Sequence, residues 1–478
     1  MRRVLFALAA LAAVLPALAE GLPPEVLKAL KAAQIPTASV AVVVQPVDAA
    51  APLVAHNARQ PMNPASVMKL VTTYAALDLL GPAWTWKTGA YVDGDVIDGR
   101  LAGNLYLKGS GDPKLAIEHL WELLRQLRVR GIAQIAGDVV LDRSAFAVPA
   151  IDPGAFDDKP MRPYNVGPDG LLVNFRALRF TVAAENGKAR LLQETPSDGL
   201  WVDNRLQLSN GGCSSDWKDL VAVRLVPENG SSRLEFTGSF AAACGEKTLN
   251  LAPLPADAQV GGLFRSLWKE LGGSLAGQVR GGSLPAGARL VAEHESPTLA
   301  DTVRDINKYS NNVMARQLFL TLGNDTAPGT AERARGRVVD WLNGRSLRFP
   351  ELVLENGSGL SRQERISADS LNRLLLDAWK SPVMAELVSS LPIVGIDGTM
   401  KKRLKESSAS GRAHIKTGTL DGVKSAAGIA LDAQGRPYAV TFLINHPRAQ
   451  TGQGAIDALL LWVAQRRVGE KAVVLENE

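Results

Sequence analysis

The sequence is poor in cysteine and histidine. Among its 478 residues there are two cysteines and five histidines, and none of them has the spacing of a zinc-binding motif. The sequence also lacks a His-Glu-x-x-His motif, a P-loop and the Gly-x-Ser-x-Gly motif of α/β-hydrolases. These absences argue against a zinc peptidase, a nucleoside triphosphatase and an α/β-hydrolase, and we expect no metal and no cofactor.

Beyond its N-terminus the chain lacks long apolar runs. After residue 19, no stretch reaches the ~18 apolar residues that a transmembrane helix needs. Residues 1–19 combine Arg2 and Arg3 with a short apolar run and end in Ala17-Leu18-Ala19, which is typical of a secretory signal peptide. An uncleaved membrane anchor is the alternative, which the shortness of the run disfavours. We expect an exported protein that is periplasmic, or else extracellular and associated with the cell wall.

The chain also lacks a strong net charge. Its formal charge of +5 falls to +3 when the two arginines of the leader are removed. So small an excess does not predict binding to nucleic acid, and it allows at most peripheral contact with an anionic membrane or cell-wall surface. In an oxidising compartment two cysteines most simply form one disulfide, so we expect a Cys213–Cys244 bridge, with two buried thiols as the alternative.

The length of the chain predicts more than one domain, since single cores stop growing at roughly 250–300 residues. After the leader, residues 20–86 indicate a short helix, two strands and a second helix that is apolar on nearly every side. Residues 87–291 contain short β-like runs separated by Gly, Asn and Asp turns, and residues 292–478 return to long helices followed by three strands. We therefore expect an α/β (α+β) domain formed by 20–86 and 292–478, interrupted by a β-rich insertion of one or two small domains.

A serine followed three residues later by a lysine is the first candidate catalytic motif, but it is too common to be informative by itself. Ser66 and Lys69 lie on one face at the start of the apolar helix, where Asn63 is expected to cap the helix and Pro64 suits its first turn. Free backbone N–H groups there favour developing negative charge, and burial lowers the pKa of a lysine. The other copies are predicted to lie on solvated surface: Ser215 with Lys218, and Ser266 with Lys269.

Two further motifs follow along the chain. Ser310-Asn311-Asn312 forms a Ser-x-Asn motif, and Lys416-Thr417-Gly418-Thr419 lies on a predicted strand. A second Lys-Thr-Gly, at residues 87–89, precedes the Ser-x-Asn motif and begins the insertion, so we reject it as a chance match. Together with the Ser-x-x-Lys at residue 66, these are the three motifs of the penicillin-recognising serine acyl-transfer enzymes.

The chain resembles one branch of those enzymes, the class C low-molecular-mass penicillin-binding proteins, or D-alanyl-D-alanine carboxypeptidase/endopeptidase family. Ser66 and Ser310 are 244 residues apart, which leaves room for the β-rich insertion of this family. Asn356 is a departure, because the family usually has Asp before Gly-Ser-Gly. The resemblance implies a penicillin-binding transpeptidase-like, serine β-lactamase-like domain with an antiparallel sheet and helices. It also rests on GSGDPKL at 109–115, RPYNVGPDGLLVNF at 162–175, INKYSNNVMARQLF at 306–319, GSGLSR at 357–362 and GIDGTMKKRL at 395–404.

The resemblance assigns roles to the motif residues. Lys69 takes a proton from Ser66, which attacks the D-Ala–D-Ala carbonyl and forms an acyl-enzyme, and the backbone N–H groups of Ser66 and Thr419 form the oxyanion hole. Ser310 passes a proton to the leaving D-alanine, and the Asn312 amide holds Lys69 and the substrate backbone. The terminal carboxylate is expected to bind at the third motif, residues Lys416, Thr417, Gly418 and Thr419.

The resemblance also implies the substrate. The predicted reaction removes the terminal D-alanine of peptidoglycan stem peptides, cleaves D-alanyl-meso-diaminopimelate crosslinks, or does both, and β-lactam antibiotics are expected to inhibit by acylating Ser66. A serine β-lactamase is one alternative, which efficient hydrolysis of penicillin would favour. A non-catalytic peptidoglycan-binding protein is another, but it would need a missing motif residue, and none is missing.

In this family an acidic and an aromatic residue of the insertion meet the diamino-acid side chain, together with the arginine of Gly-Ser-Gly-Leu-Ser-Arg. Leu360 and Arg362 match that motif directly. The best fits within the insertion are Asp158 and Tyr164, with Asp157 almost as good as Asp158.

Overall fold

The computed structural model of the protein describes residues 21–467. The predicted signal peptide, residues 1–19, lies outside the described residues. Within residues 21–467, no helix is both long and apolar enough to cross a membrane.

Residues 21–467 form helices and strands in the following order along the chain. The α-helices are α1 (Pro24–Ala32), α2 (Lys69–Leu80), α3 (Ile117–Val129), α4 (Ala256–Glu270), α5 (Leu299–Tyr309), α6 (Asn312–Leu322), α7 (Ala331–Gly344), α8 (Ala368–Trp379), α9 (Met384–Ser390) and α10 (Gln453–Gln465). The strands are β1 (Val40–Pro46), β2 (Val54–His56), β3 (Lys87–Val92), β4 (Val96–Ile97), β5 (Arg100–Leu101), β6 (Leu105–Gly109), β7 (Gln134–Ile135), β8 (Val139–Asp142), β9 (Leu178–Glu185), β10 (Lys188–Gln193), β11 (Leu200–Asn204), β12 (Gln207–Ser209), β13 (Val221–Glu228), β14 (Ser231–Ala241), β15 (Lys247–Leu251), β16 (Ser274–Leu275), β17 (Val279–Gly281), β18 (Arg289–Glu295), β19 (Ala413–Leu420), β20 (Val423–Leu431) and β21 (Pro437–Asn445).

One five-stranded antiparallel sheet joins strands from residues 40–56 to strands from residues 413–445, in the order β19-β20-β21-β1-β2. β1 pairs with β21 from Val40↔Ile444 to Pro46↔Tyr438. The sequence of β1 is apolar almost throughout because both faces of the sheet are covered, by α1 and α10 on one side and by α2 and α5–α9 on the other. The expected fold, a mixed α/β (α+β) domain with an antiparallel sheet, is confirmed.

The inserted region, which we define as residues 87–295, begins and ends at neighbouring strands. β3 starts at Lys87 soon after α2, and β18 pairs antiparallel with it from Glu295↔Lys87 to Arg289↔Val92. The predicted boundary at residue 291 falls inside β18, because this strand accompanies β3 along its whole length.

Two separate cores lie within the inserted region. α3 and α4 pack around one core with the sheets β17-β8-β6-β3-β18 and β16-β7-β5-β4, and strands β9 to β15 enclose the other. We keep the division of the chain into domains as a proposal, with two small units in the inserted region.

The two cysteines are bonded to each other. The Cys213–Cys244 disulfide, with an S–S distance of 2.03 Å, ties the segment after β12 to the turn that follows β14. The predicted disulfide is confirmed, and it lies at the second core of the inserted region.

Candidate active site

Ser66 lies in a tight turn that leads into α2. Residues Ala65–Met68 form a 3-10 turn that continues directly into the helix. Asn63 Oδ1 accepts a hydrogen bond from the N–H of Ala65 at 2.9 Å. The sequence predicted that Asn63 caps the helix, whereas in the structure it caps the 3-10 turn that precedes α2. Ala65 has a φ of 46°, a left-handed conformation that costs free energy and that the surrounding packing must hold in place. Gly359 supplies that packing, since a Cβ there would lie 1.9 Å from the Ala65 carbonyl oxygen.

Lys69 is fully buried beside Ser66. Its Nζ lies 3.0 Å from Ser66 Oγ and 2.6 Å from Asn312 Oδ1, and it also donates to the carbonyl oxygen of Ser358. An amide oxygen and a carbonyl oxygen can only accept, so they take the two N–H bonds of a neutral amine and leave its lone pair for the Ser66 hydroxyl. Burial, followed by the positive charge of Lys416, holds the pKa of Lys69 well below its ordinary value. The amine is thus buried, with a lowered pKa, at hydrogen-bond distance from the Ser66 hydroxyl.

Two side chains hold the turn that presents the Ser358 carbonyl. Asn356 Oδ1 accepts the N–H of Ser358 at 2.9 Å and its hydroxyl at 2.6 Å, while Asn356 Nδ2 donates to the carbonyl of Leu360 at 3.0 Å. An aspartate could accept the first two bonds but could not donate the third, so Asn356 suits this turn. Glu364 is fully buried and accepts the backbone N–H groups of residues 355–357. The sequence offers no signal for Glu364, because a glutamate between Gln and Arg reads as an exposed residue.

The junction of α5 and α6 positions the Ser-x-Asn motif. Ser310 ends α5 with a left-handed φ of 55°, and Asn311 caps α6 by accepting the N–H of Met314 at 3.1 Å. This cap places Asn312 at the first position of α6, where its amide reaches Lys69.

Lys416 joins the third motif to the second. Its Nζ donates to Ser310 Oγ at 2.8 Å and to the carbonyl of Thr417 at 2.8 Å. The side chain is fully buried, and burial lowers the pKa of Lys416 to about 7. All three motifs therefore meet in one place, and two buried amines share it.

The strand β19, which carries the Lys-Thr-Gly-Thr motif, is an edge strand of the main sheet. Its outer edge is covered only at its start, where the N–H of Ile415 donates to the carbonyl of Pro392 at 2.8 Å. Peptide groups along a strand point to alternate sides, so the N–H groups of Thr417 and Thr419 point to the same side as that of Ile415. Residues 21–467 add no further strand on that side. The edge is open where a substrate backbone would pair with it.

Gly418 brings β19 against the turn of Ser66. A Cβ on Gly418 would lie 2.6 Å from the carbonyl oxygen of Pro64 and 3.0 Å from the Ser66 nitrogen. Thr417 Oγ1 lies 2.7 Å from Thr399 Oγ1, which extends the row of hydroxyls along the cleft. The sequence pointed to the stretch that contains Thr399 without assigning this residue a role.

The residues expected around a diamino-acid side chain do not all come together. Leu360 and Arg362 line a cavity of about 560 Å³, but Asp158 and Tyr164 are not among the residues that line it. The chain turns at Asp158, where φ is 58°, and Tyr164 beyond it lines a different cavity, its hydroxyl donating to Asp157 Oδ2 at 2.7 Å. The structure therefore does not bring Asp158 and Tyr164 into the cavity that Leu360 and Arg362 line.

An earlier pair of residues takes that place. The Arg362 guanidinium carbon lies 4.9 Å from the centre of the Phe156 ring, and Phe156 also packs against the small apolar cluster that contains Leu360. Asp152 lines the same cavity, four residues before Phe156. The signal in the sequence was the run Asp-Pro-Gly-Ala-Phe, which lies just ahead of the stretch that was chosen.

The chain is similar to known penicillin-binding carboxypeptidases. The model of the D-Ala-D-Ala carboxypeptidase 3 (S13) family matches residues 24–466. The D-alanyl-D-alanine carboxypeptidase of Actinomadura sp. (strain R39) is 30% identical over 404 residues, which cover 80% of this chain and 73% of that protein. The D-alanyl-D-alanine carboxypeptidase DacB of Haemophilus influenzae is 26% identical over 396 residues, 82% of each chain.

The solved structures support the same fold. The crystal structure of penicillin binding protein 4 (dacB) from Haemophilus influenzae matches with a TM-score of 0.75 at 24% identity, covering 91% of this chain and 99% of that one. The same protein complexed with a β-lactam matches with a TM-score of 0.70 at 23% identity and the same coverage. At these identities the likeness establishes the fold of the chain.

Proposed function

The chain belongs to the D-Ala-D-Ala carboxypeptidase 3 (S13) family and is a serine D-Ala-D-Ala peptidase, and on this premise we propose that Ser66 is its nucleophile and Lys69 its general base. One observation carries the proposal. The fully buried Lys69 amine lies 3.0 Å from Ser66 Oγ, while its other two hydrogen-bond partners are pure acceptors.

The proposed reaction has two halves. Lys69 removes the proton of Ser66, whose Oγ attacks the carbonyl carbon of the penultimate D-alanine. The negatively charged oxygen of the tetrahedral intermediate accepts hydrogen bonds from the backbone N–H groups of Ser66 and Thr419. Each donor of this kind lowers the activation free energy by about 3–4 kcal/mol. The C–N bond then breaks, and the leaving nitrogen takes a proton from the Ser310 hydroxyl, which is free to donate because its oxygen accepts from Lys416. The proton that Lys69 took from Ser66 then replaces the one lost by Ser310, which leaves the amine neutral. In the second half, Lys69 takes a proton from the water that attacks the ester, and it returns this proton to Ser66 Oγ as the acyl C–O bond breaks.

Substrate recognition is proposed to use the open edge of β19. A stem peptide laid along this edge pairs with the outward peptide groups of Thr417 and Thr419 as an added strand. The free carboxylate of the last D-alanine then meets the Lys416 ammonium and the hydroxyls of the two threonines in a charge-assisted site. Asn312 holds the substrate backbone from the other side of the cleft.

The diamino-acid side chain is proposed to lie in the cavity beside Arg362. Asp152 would accept the free amine of that side chain, and Phe156 and Leu360 would contact its methylene groups. Asp152→Asn should slow cleavage of peptides that end in a free diamino-acid amine more than cleavage of simple acyl-D-Ala-D-Ala peptides. Asp158→Asn is the matched control and should affect the two substrates alike. Equal losses in the Asp152 variant would remove the residue from this role.

We also propose the compartment and the ligands. A leader at residues 1–19 and the Cys213–Cys244 disulfide suit an exported, periplasmic or cell-wall-associated protein that acts on peptidoglycan stem peptides. β-lactams should acylate Ser66, and the related penicillin binding protein 4 has been solved with a β-lactam.

The test is digestion of purified peptidoglycan fragments by the mature protein, followed by mass analysis of the products. Release of D-alanine from pentapeptides and of monomers from crosslinked dimers is the expected result. Incubation with penicillin distinguishes a peptidase from a β-lactamase. We expect a long-lived adduct on the peptide that contains Ser66, whereas rapid hydrolysis of the antibiotic would indicate a β-lactamase.

A further inference from the structure

A cleft of about 850 Å³ lies where the Ser-x-Asn motif faces the inserted region. Ser310 and Asn312 line it from the junction of α5 and α6, and Arg162, Tyr164 and Lys218 line it from the inserted region. Its size is that of a site for a ligand much larger than one amino acid.

Ser310 indicates which part of a substrate this cleft would receive. Because Ser310 is proposed to protonate the leaving nitrogen, the group attached to that nitrogen must lie beside Ser310. A pentapeptide leaves only D-alanine there. A crosslinked dimer leaves a whole second stem peptide, which carries free carboxylates and needs a site of its own.

The charges of the cleft suit such a ligand. Arg179 and Glu194 form a pair at 2.7 Å and neutralise each other, and Arg162 pairs at 3.0 Å with Asp219. Lys218 is an exposed residue for which residues 21–467 supply no carboxylate partner, since Asp219 is engaged by Arg162. Partial burial of its amine and the charge of Arg162 lower the pKa of Lys218.

The wall of the cleft is conformationally strained. Three consecutive residues, Asn174, Phe175 and Arg176, have φ values of 48°, 53° and 51°, and the first two line the cleft. Left-handed conformations at non-glycine residues persist where the surrounding structure forces them, and they are concentrated at ligand sites. The wall is therefore shaped before any ligand arrives.

We propose that this cleft binds the leaving stem peptide of a crosslinked substrate, and that Lys218 pairs with one of the free carboxylates of that peptide. The inference rests on the proposed function, from which it takes the role of Ser310. It makes the enzyme an endopeptidase with a subsite for the departing strand, and it explains why the inserted region supplies cations at this position.

The test compares kcat/KM on two synthetic substrates, a pentapeptide and a crosslinked peptide dimer. Lys218→Ala should lower kcat/KM for the dimer about threefold to tenfold, and Lys218→Arg should restore most of it, because the lost contact is one partly exposed charge pair. The pentapeptide has no leaving strand, so its cleavage reports whether the variant is folded and active. Lys159→Ala is the matched control, since Lys159 lies 3.9 Å from Asp219 but does not line the cleft. Equal losses on both substrates, or no loss on the dimer, would overturn the proposal.

A second measurement needs no variant. The free stem peptide that the dimer releases should inhibit cleavage of the pentapeptide by the wild type, and the same peptide with its carboxylates amidated should inhibit at least threefold less strongly. Equal inhibition by the two forms would overturn the proposal. A wild type that releases no D-alanine from the pentapeptide would instead contradict the proposed function itself.

Discussion

The chain contains the tripeptide Lys-Thr-Gly twice, and the two copies differ in their surroundings. Each lies on a strand, but Lys416 is fully buried, whereas the side chain of Lys87 is 59% exposed. Lys87 pairs with Glu293 at 2.9 Å, which raises the pKa of Lys87, whereas burial lowers the pKa of Lys416 to about 7. The same tripeptide thus lies on a strand in both places, but only the Lys416 copy has a buried lysine with a lowered pKa.

The two helical copies of Ser-x-x-Lys differ in the same way. Ser266 donates to the carbonyl of Gly262 at 2.9 Å, one turn back in α4, and Lys269 is exposed. In contrast, the Ser66 hydroxyl meets the buried amine of Lys69. The Ser266 hydroxyl is bonded to its own helix and Lys269 lies in water, so burial and hydrogen-bond partners, more than spacing, distinguish the two copies.

The largest expected effect comes from replacing Ser66, the proposed nucleophile, and comparing it with the same change at Ser266. Ser66→Ala should abolish labelling by penicillin and lower D-alanine release by about a thousandfold or more, because the covalent route is lost. Ser266→Ala should leave both unchanged. Fluorescent penicillin on a denaturing gel, together with a D-alanine assay, measures the two effects, and persistent labelling of the Ser66 variant would show that another residue is acylated.

The second effect loosens the inserted region and leaves the motifs of the main sheet intact. Replacing Cys213 and Cys244 by alanine opens a loop with a sequence separation of 31 residues and should lower the free energy of unfolding by about 3–4 kcal/mol, on a chain-entropy account. Denaturant unfolding with and without reductant measures this loss. Labelling of Ser66 by penicillin at 25 °C should survive, and loss of labelling in a folded variant would mean that the motif geometry depends on the inserted region.

The third effect compares the two Lys-Thr-Gly copies directly. Lys416→Ala should lower kcat/KM for substrates with a free terminal carboxylate by about 2–4 kcal/mol, since it removes a desolvated charge partner. Lys87→Ala removes an exposed pair, and activity should not change. A pentapeptide and its C-terminal amide serve as the substrates. If the wild type cleaves the amide as fast as the acid, Lys416 does not bind a carboxylate, and its role would be to orient Ser310.

The sequence predicted what depends on short stretches and missed what depends on distant contacts. The antiparallel sheet, the helix after Ser66 and the disulfide all follow from local pattern and order along the chain. Glu364 and the Ser358 carbonyl could not be predicted, because their roles come from a turn folded against α2. The acidic residue of the cavity beside Arg362 was hard to predict for a related reason: in an irregular loop, one turn decides that Asp152 and not Asp158 lines that cavity.

The smallest effect concerns pH and the charge on Lys416. Binding of a carboxylate requires the protonated amine, and the pKa of Lys416 is about 7 in the free enzyme, so kcat/KM for a free-acid substrate should fall as the pH rises through 7. The decline should approach about tenfold for each further pH unit, because the protonated fraction then falls tenfold. Lys416→Arg keeps its charge at every accessible pH, so this variant should be slower but should lose the falling limb. The wild type acting on the C-terminal amide should also lack that limb, and Lys87→Ala should retain it on the free acid. If kcat/KM of the arginine variant still falls as the pH rises, another group must be responsible for the titration. The buried and the exposed Lys-Thr-Gly would then differ in their position in the structure and not in the protonation of their lysines.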